Sequence, residues 1–252
     1  MDLFSVKRNR KQVSAFVIAG FFLLFACSCH KHKEPPPPLE TGTVTDLEGH
    51  VYHTIKIGNQ WWMSENLKST KYRDSSSIRK IQTDTSEWNN DTTGAYCKYD
   101  DNPNSPGLLY NWYAVNNSKK IAPAGWHIPT DDKWKELEKY LGMNQSEADK
   151  TNFRGTFEGD KLKEKGPENW NLYGDVWATN ESGFSALAGN CRLFDGEWGF
   201  PYDLASTGFW WTSTDHTADN EAWYRYLDYK KSNVFRYHGS KTYGFSIRCV
   251  KD

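Results

Sequence analysis

The side chains with the clearest capacity for binding are aromatic residues in the C-terminal part of the chain, above all between residues 198 and 226. Successive side chains of a strand face opposite sides, so Trp223 and Arg225 should face one side and Tyr224 and Tyr226 the other. An exposed ring beside an arginine could stack on a sugar ring or a peptide, although filling the core is the commoner role of such rings. The candidate ligand-binding residues are Trp198, Tyr202, Trp211, Trp223, Tyr224, Arg225 and Tyr226.

His127 is the most conspicuous candidate for catalysis, because it stands between Trp126 and Ile128 just before a predicted helix. No serine, cysteine or carboxylate lies at a spacing that makes a recognisable catalytic set with it. A structural histidine bonded to the backbone is the simpler interpretation. The sequence therefore predicts no catalytic residues and a protein that is not an enzyme.

Metal ligands show no complete pattern in the sequence. Cys29, His30 and His32 could bind a soft or borderline metal, but no further ligand follows at a fitting spacing, so we interpret them as part of a solvated linker. The Asp-Asp-Asn run at 100–102 could offer oxygen ligands to calcium, yet it lacks a fixed ligand set. A solvated acidic loop is the preferred interpretation, and we predict no metal site and no cofactor.

Three cysteines lie beyond the N-terminal segment: Cys97, Cys191 and Cys249. In an oxidising compartment an odd number predicts one disulfide and one free thiol. Cys191 and Cys249 are the preferred pair, because both fall in apparent strands of the C-terminal half. The sequence alone does not fix this pairing.

The N-terminus has the layout of a secretory signal, with basic residues at 7–11 and an apolar run over 13–26. The run is shorter than the roughly 18 to 20 residues of a membrane-spanning helix. Ala26 before Cys27 resembles the lipobox of bacterial lipoproteins, in which cleavage leaves a cysteine carrying acyl chains such as palmitate. Cys29 is the alternative lipidation site, and a cleaved signal without lipid is the alternative class. We predict a signal peptide at 1–26 and a lipidated, proline-rich linker at 27–40.

This layout predicts a protein of the cell envelope that is held to a membrane by its N-terminal lipid. The outer membrane is the expected location, and whether the domain faces the periplasm or the outside is left open. Charge is nearly balanced, with 31 Lys and Arg against 32 Asp and Glu, and no long basic stripe occurs. Nucleic acid is therefore not an expected partner.

The elements that would position these residues begin with short strands at 43–45, 50–57 and 60–63. The clearest helix follows Pro129, where Thr130 can cap it and Gly142 can close it. A weaker helix is predicted at about 146–153. Residues 71–106 are polar and have no period, which predicts a long surface excursion.

Strands and turns alternate from residue 183 onward, with predicted strands at 184–187, 191–194, 209–214, 222–227, 234–237 and 243–250. One or two helices in the first half, followed by an antiparallel second half, indicate an α+β fold of mainly antiparallel strands. The length beyond the linker fits one domain over 41–252.

Several sequence strings occur together in this chain and point to a known family. They are GNQWWMSENL at 58–67, GLLYNWY at 107–113, GWHIPT at 125–130, GFSAL at 183–187, WTST at 211–214, AWYRYL at 222–227 and GFSIRCV at 244–250. With these motifs, residues 41–252 resemble the Fibrobacter succinogenes major paralogous domain family of bacterial envelope lipoproteins. Two positions depart from the family pattern: Ala122 stands where members often have cysteine, and Cys191 stands where they usually have glycine. The second departure puts a family disulfide pattern in doubt.

The resemblance implies a C-type lectin-like fold, which the formylglycine-generating enzymes also use. An enzyme of that kind would need reactive cysteines, and the contexts of the cysteines in this chain do not match that requirement. The motifs of a calcium-dependent sugar site are not in place either. We therefore expect a non-catalytic binding module for a glycan or a protein partner, with a structural or assembly component of an envelope complex or surface appendage as the alternative.

Overall fold

A computed structural model describes residues 38–99, 105–199, 205–217 and 220–252. Pro38–Asp252 forms one compact unit, which contains the three hydrophobic clusters found among the described residues. This segment therefore has the core of the fold within itself. The signal peptide, the lipidation candidates Cys27 and Cys29, the run at 100–102 and Tyr202 lie outside the described residues. In the part of the chain that is described, no helix is both long and apolar enough to cross a bilayer.

The first sheet joins the two ends of this unit. Its five antiparallel strands lie in the order β1 (Thr41–Thr45), β2 (Val51–Ile57), β3 (Gln60–Met63), β12 (Val250–Lys251) and β7 (Trp126–His127). The predicted strands at 43–45, 50–57 and 60–63 are confirmed, and Gly58 takes the positive φ of 61° that the turn between β2 and β3 requires. Val250 pairs with both Trp62 and His127, so the last strand fills the gap between β3 and β7.

The second sheet carries most of the candidate binding residues. Its four antiparallel strands lie in the order β8 (Asn152–Arg154), β11 (Val234–Ser240), β10 (Glu221–Asp228) and β9 (Thr207–Asp215). These bounds confirm the predicted strands at 209–214, 222–227 and 234–237. The predicted strands at 184–187 and 191–194 are wrong, because those residues make only isolated bridges, and of 243–250 only the end belongs to a strand.

The described residues contain five helices: α1 (Thr85–Asn90), α2 (Trp112–Val115), α3 (Asp131–Tyr140), α4 (Gln145–Ala148) and α5 (Glu158–Leu162). The predicted helix after Pro129 is confirmed as α3, where the Thr130 side chain accepts a hydrogen bond from the backbone N–H of Lys133. The helix predicted at 146–153 is shorter, because β8 takes its last residues into the second sheet. Together the helices and mainly antiparallel sheets form a β-rich α+β fold.

The segment at 71–106, predicted as a long surface excursion, has many exposed residues, but its described part also contains a short helix and short strands. This segment forms β4 (Arg79–Lys80), α1 and β5 (Ala95–Cys97), and a third sheet forms as β5 also pairs with β6 (Leu109–Tyr110). Its widely spaced apolar residues, among them Trp88, build a small core of their own. Its polar residues hold the backbone: the Asp91 carboxylate, for example, accepts from the backbone N–H of Gly94 at 2.9 Å. Its polar composition reflects turns and caps as well as exposure.

A buried network of charges attaches α3 to one side of the second sheet. Asp131 and Glu138 of α3 accept hydrogen bonds from Arg225 at 2.8 and 2.7 Å, and they also pair with Arg236 and Arg154 respectively. Burial alone would raise the pKa of the Asp131 carboxyl, but hydrogen bonds and charges from Arg236 and Arg225 outweigh it and hold this pKa well below its usual range. The network therefore requires an ionised Asp131.

The predicted disulfide between Cys191 and Cys249 is not present, since both residues and Cys97 are free, buried thiols. Burial raises the pKa of Cys97 and of Cys191 to about 12 and also raises the pKa of Cys249. Each thiol packs as a small apolar side chain in the core, which is a common role for unpaired cysteine. The presence of Cys191 and Cys249 in apparent strands therefore did not predict a disulfide between them.

Candidate binding face

The side of the second sheet turned away from α3 is covered with aromatic rings. Register places Tyr226 beside Phe235 of β11, and Phe235 beside Phe153 of β8. Tyr224 is paired in the same way with Tyr237. We name this set, Phe153, Tyr224, Tyr226, Phe235 and Tyr237, the aromatic face.

The rings of the aromatic face contact each other across three strands. Ring centroids lie 5.0 Å apart between Phe153 and Phe235, and 5.6 Å apart between Phe235 and Tyr226. Beside them on β9, Phe209 stacks on Tyr226 at 4.6 Å and is itself buried. Four of the five rings are half-buried, and Tyr237 is 37% exposed. The face thus offers a continuous aromatic surface anchored in the core.

The electrostatics of the aromatic face are close to neutral. Burial raises the pKa of the Tyr224 hydroxyl and of the Tyr226 hydroxyl above the usual range, so both stay protonated at physiological pH. The Tyr226 hydroxyl donates to the Asp228 carboxylate. At the other end of the face, Lys231 Nζ lies 5.6 Å from the centroid of the Phe153 ring. One acidic and one basic group thus border a surface of π faces and hydroxyl groups.

The predicted alternation along β10 is confirmed, because Trp223 and Arg225 share the side that faces α3 while Tyr224 and Tyr226 share the aromatic face. The roles predicted for two residues need correction. Trp211 is completely buried, with its Nε1 donating to the Tyr110 carbonyl at 2.8 Å. Arg225 is also completely buried, in the charge network with α3. Both hold the fold and have no surface for a ligand.

Two further candidates lie away from the aromatic face. Trp198 is half-buried and packs against the Tyr99 ring at 5.1 Å and the Arg192 guanidinium at 5.1 Å. Trp223 is half-buried on the opposite side of the sheet, 3.7 Å from the Arg236 guanidinium. Tyr202 lies outside the described residues. Of the predicted set, Tyr224 and Tyr226 belong to the aromatic face, and the buried Trp211 contacts Tyr224 edge to face at 6.2 Å.

Sequence reasoning missed Phe153, Phe235 and Tyr237. The alternation of Phe235 and Tyr237 along a predicted strand was the available signal, but Phe153 stood at the end of a predicted helix. A second aromatic surface was also missed, in the loop at 166–178, where Tyr173 is 52% exposed and Trp177 is 60% exposed. This loop patch borders a cavity of about 120 Å³ lined by Trp177 and Tyr229, among others.

A comparison with protein-family models identifies the family of the chain. The model of the Fibrobacter succinogenes major domain matches residues 55–251, which is most of the sequence. The chain belongs to this family. Searches of the curated proteins and of the solved structures found no match.

The family match covers every strand of the aromatic face and the motif that contains His127. His127 Nδ1 lies 2.6 Å from the Asp252 carboxylate, at the edge of a cleft of about 340 Å³ that Ala122 also lines. Ala122, directly before the Pro-Ala-Gly-Trp-His motif, therefore lines this cleft with its methyl group.

Proposed function

We propose that this domain is a non-catalytic, C-type lectin-like module that binds a glycan chain on the aromatic face. The observation that carries the proposal is the continuous row of five partly exposed rings across β8, β11 and β10. The family resemblance supports the lectin-like fold. The mainly antiparallel α+β architecture is of the same fold class.

The chemistry of the aromatic face favours a neutral sugar chain. The apolar face of a pyranose ring packs on an aromatic ring much as another ring does, and ring contacts contribute about 0.5–1.5 kcal/mol each beyond the area they bury. The Tyr226 hydroxyl already donates its proton to Asp228, so it can accept a hydrogen bond from a sugar hydroxyl. Asp228 and Lys231 carry opposite charges, so the face has no excess charge to attract a strongly acidic or basic partner.

The environment of the thiols supports a non-catalytic role. Thiol chemistry of the formylglycine-generating kind needs an accessible thiolate. Cys97, Cys191 and Cys249 are all buried, and burial raises the pKa of each. We further propose that a lipid on Cys27, with Cys29 as the alternative, holds the module in the cell envelope, at the outer membrane.

The proposal is tested by binding of soluble neutral polysaccharides, for which β-glucan, mannan and xylan serve as probes, to the segment Pro38–Asp252. Affinity electrophoresis and calorimetry should detect binding of at least one probe. Tyr226→Ala and Phe235→Ala should weaken it about tenfold or more, since each removes a ring contact together with its buried area. The matched control is Tyr140→Ala, because Tyr140 is 66% exposed on α3, on the other side of the sheet.

Two results would redirect the proposal. Binding that is lost in Trp177→Ala but kept in Tyr226→Ala would move the site to the loop patch while leaving the function intact. No binding to any probe, together with co-purification of defined envelope proteins that depends on Trp177, would favour the assembly role. The exposed Leu172 and Trp177 are the observation that favours this second candidate, because exposed apolar side chains side by side often mark a protein contact.

A further inference from the structure

A cluster of three potential metal ligands lies at one end of the second sheet, where the His238 ring also stacks on the Tyr237 ring of the aromatic face at 4.5 Å. His216 follows the last residue of β9, Glu221 begins β10, and His238 lies near the end of β11. One ligand atom from each residue can be chosen so that all three lie within 4.8 Å of one another. Three chain segments thus bring two imidazoles and a carboxylate to one point.

The two imidazoles share one carboxylate oxygen. His216 Nδ1 lies 3.7 Å from Glu221 Oε2, and His238 Nδ1 forms a hydrogen bond with the same oxygen. The two rings stack with centroids 3.7 Å apart and planes 3° from parallel. Both Nδ1 atoms therefore lie on the same side of the stack, close to Glu221 Oε2.

We infer that His216, Glu221 and His238 bind a divalent transition-metal ion, with Zn²⁺ as the best fit. Zinc takes imidazole nitrogen and carboxylate oxygen at about 2.0–2.2 Å, which separates the ligand atoms of a tetrahedral site by roughly 3.3–3.5 Å. The His216 to Glu221 separation of 3.7 Å is already close to that value. Binding requires the two rings to open from their parallel stack so that both lone pairs converge on the ion.

The surroundings of the cluster hold it in place. The Trp223 ring makes edge-to-face contacts with both imidazoles. Its ring centroid lies 5.1 Å from that of His216 and 5.2 Å from that of His238. Packing of this kind restricts ring orientation before the metal arrives, which lowers the entropy lost on binding. The site is open to solvent, because the side chains of His216, His238 and Glu221 are 20%, 22% and 35% exposed. A water molecule can therefore complete the coordination of the ion.

A second grouping of ligand types, Asp46, Glu48 and His50, has a different character. The Asp46 carboxylate already accepts hydrogen bonds from Tyr52 at 2.8 Å and from Ser69 at 2.6 Å, besides those from His50. Its lone pairs are used to hold a turn, so it serves as the control for the zinc site.

The direct test is titration of Pro38–Asp252, prepared without a histidine tag, with Zn²⁺ by calorimetry and with Co²⁺ by visible absorption. We expect one equivalent to bind and the melting temperature to rise with Zn²⁺ concentration. His216→Ala and His238→Ala should each weaken binding about tenfold or more, and Glu221→Gln should also weaken it. His50→Ala should bind Zn²⁺ as the unsubstituted protein does.

Three outcomes would overturn the inference: no binding of Zn²⁺ to the unsubstituted protein, binding as tight in both histidine variants as in the unsubstituted protein, or loss of binding in His50→Ala. Circular dichroism and melting with a chelator present establish that each variant is folded. His216 lies beyond the last residue of β9, so His216→Ala keeps the test decisive even if His238→Ala disturbs β11.

Discussion

Arg225 and Glu138 form an ion pair with no exposed side-chain surface, in which Arg225 Nε lies 2.7 Å from Glu138 Oε1. The pair joins the middle of the second sheet to the centre of α3. It belongs to a network with Asp131, Arg154 and Arg236, so every charge in it has a partner. Desolvating these charges costs free energy, and removing any one of them leaves another charge buried without its full set of partners.

Arg225→Ala should lower the free energy of unfolding by about 3–5 kcal/mol, because it leaves Glu138 and Asp131 with fewer partners in the core. Urea unfolding measures the change. Lys150→Ala is the control, since Lys150 is 58% exposed in its ion pair with Glu147 and its replacement should cost about 0–1 kcal/mol. Equal effects of the two substitutions would contradict a structural role for the network.

The stability of the domain should fall in acid, partly because of Asp131. The folded-state pKa of its carboxyl is lowered, so its stabilising contribution is complete at neutral pH and is lost as the pH falls below about 5. Asp131→Asn should be less stable than the unsubstituted protein at pH 7 and should show a shallower decline toward pH 3. Melting temperatures across this range test the prediction. Asp132→Asn, at a side chain that is 85% exposed, should keep the original curve.

Trp88 should be essential to the segment at 71–106. Its ring is fully buried beneath the Arg192 guanidinium at 4.4 Å, and its Nε1 donates to the Thr242 carbonyl at 2.6 Å. Trp88→Ala should cost about 3–5 kcal/mol by leaving a cavity and an unpaired carbonyl. Trp177→Ala, at an exposed tryptophan, should change stability by no more than about 0.5 kcal/mol in urea unfolding. A small effect of Trp88→Ala on stability would contradict the presence of a core in this segment.

The three thiols of Pro38–Asp252 should react with a maleimide only when the domain opens. Cys97, Cys191 and Cys249 are buried, and burial raises the pKa of each thiol, so the native state presents little thiolate. Mass spectrometry should find three labels after unfolding in urea and almost none before it. Fewer than three labels in urea without a reductant would indicate a disulfide.

Cys27→Ala should abolish acylation, whereas Cys29→Ala should leave it intact. A cysteine carrying two or more acyl chains anchors a protein stably, at about 0.8 kcal/mol per buried methylene. Detergent partitioning and intact mass of the purified variants measure this. The opposite pattern would assign the lipid to Cys29, and partitioning that neither substitution changes would exclude a lipid at both positions.

Sequence periodicity predicted those elements whose pattern is local. The cap at Thr130 predicted α3, and the alternation of Trp223 to Tyr226 predicted the two sides of β10. The segment at 71–106 could not be predicted, because its core is assembled from single apolar residues that meet the rest of the chain only in three dimensions. Trp88, for example, bonds to a carbonyl that is 154 positions away.

The candidate binding face was predictable only in part for a related reason. The alternation of side chains along β10 puts Tyr224 and Arg225 on opposite sides of the sheet. Both sides carry large side chains, so this alternation does not show which side α3 covers. That depends on Asp131 and Glu138, which lie 94 and 87 positions from Arg225. The histidine cluster likewise combines residues from three segments and has no local spacing motif.

The position of β12 has a consequence for synthesis of the chain. Val250 pairs with Trp62 and His127, so β3 leaves the ribosome about 190 residues before the strand that it needs. Until then the backbone N–H and C=O groups on that edge of β3 have no partner strand, and such an open edge favours aggregation or chaperone binding. The unpaired edge of β3 must therefore be kept from aggregating until β12 emerges. A chain that is released shortly before β12 has been made would be unable to complete the first sheet.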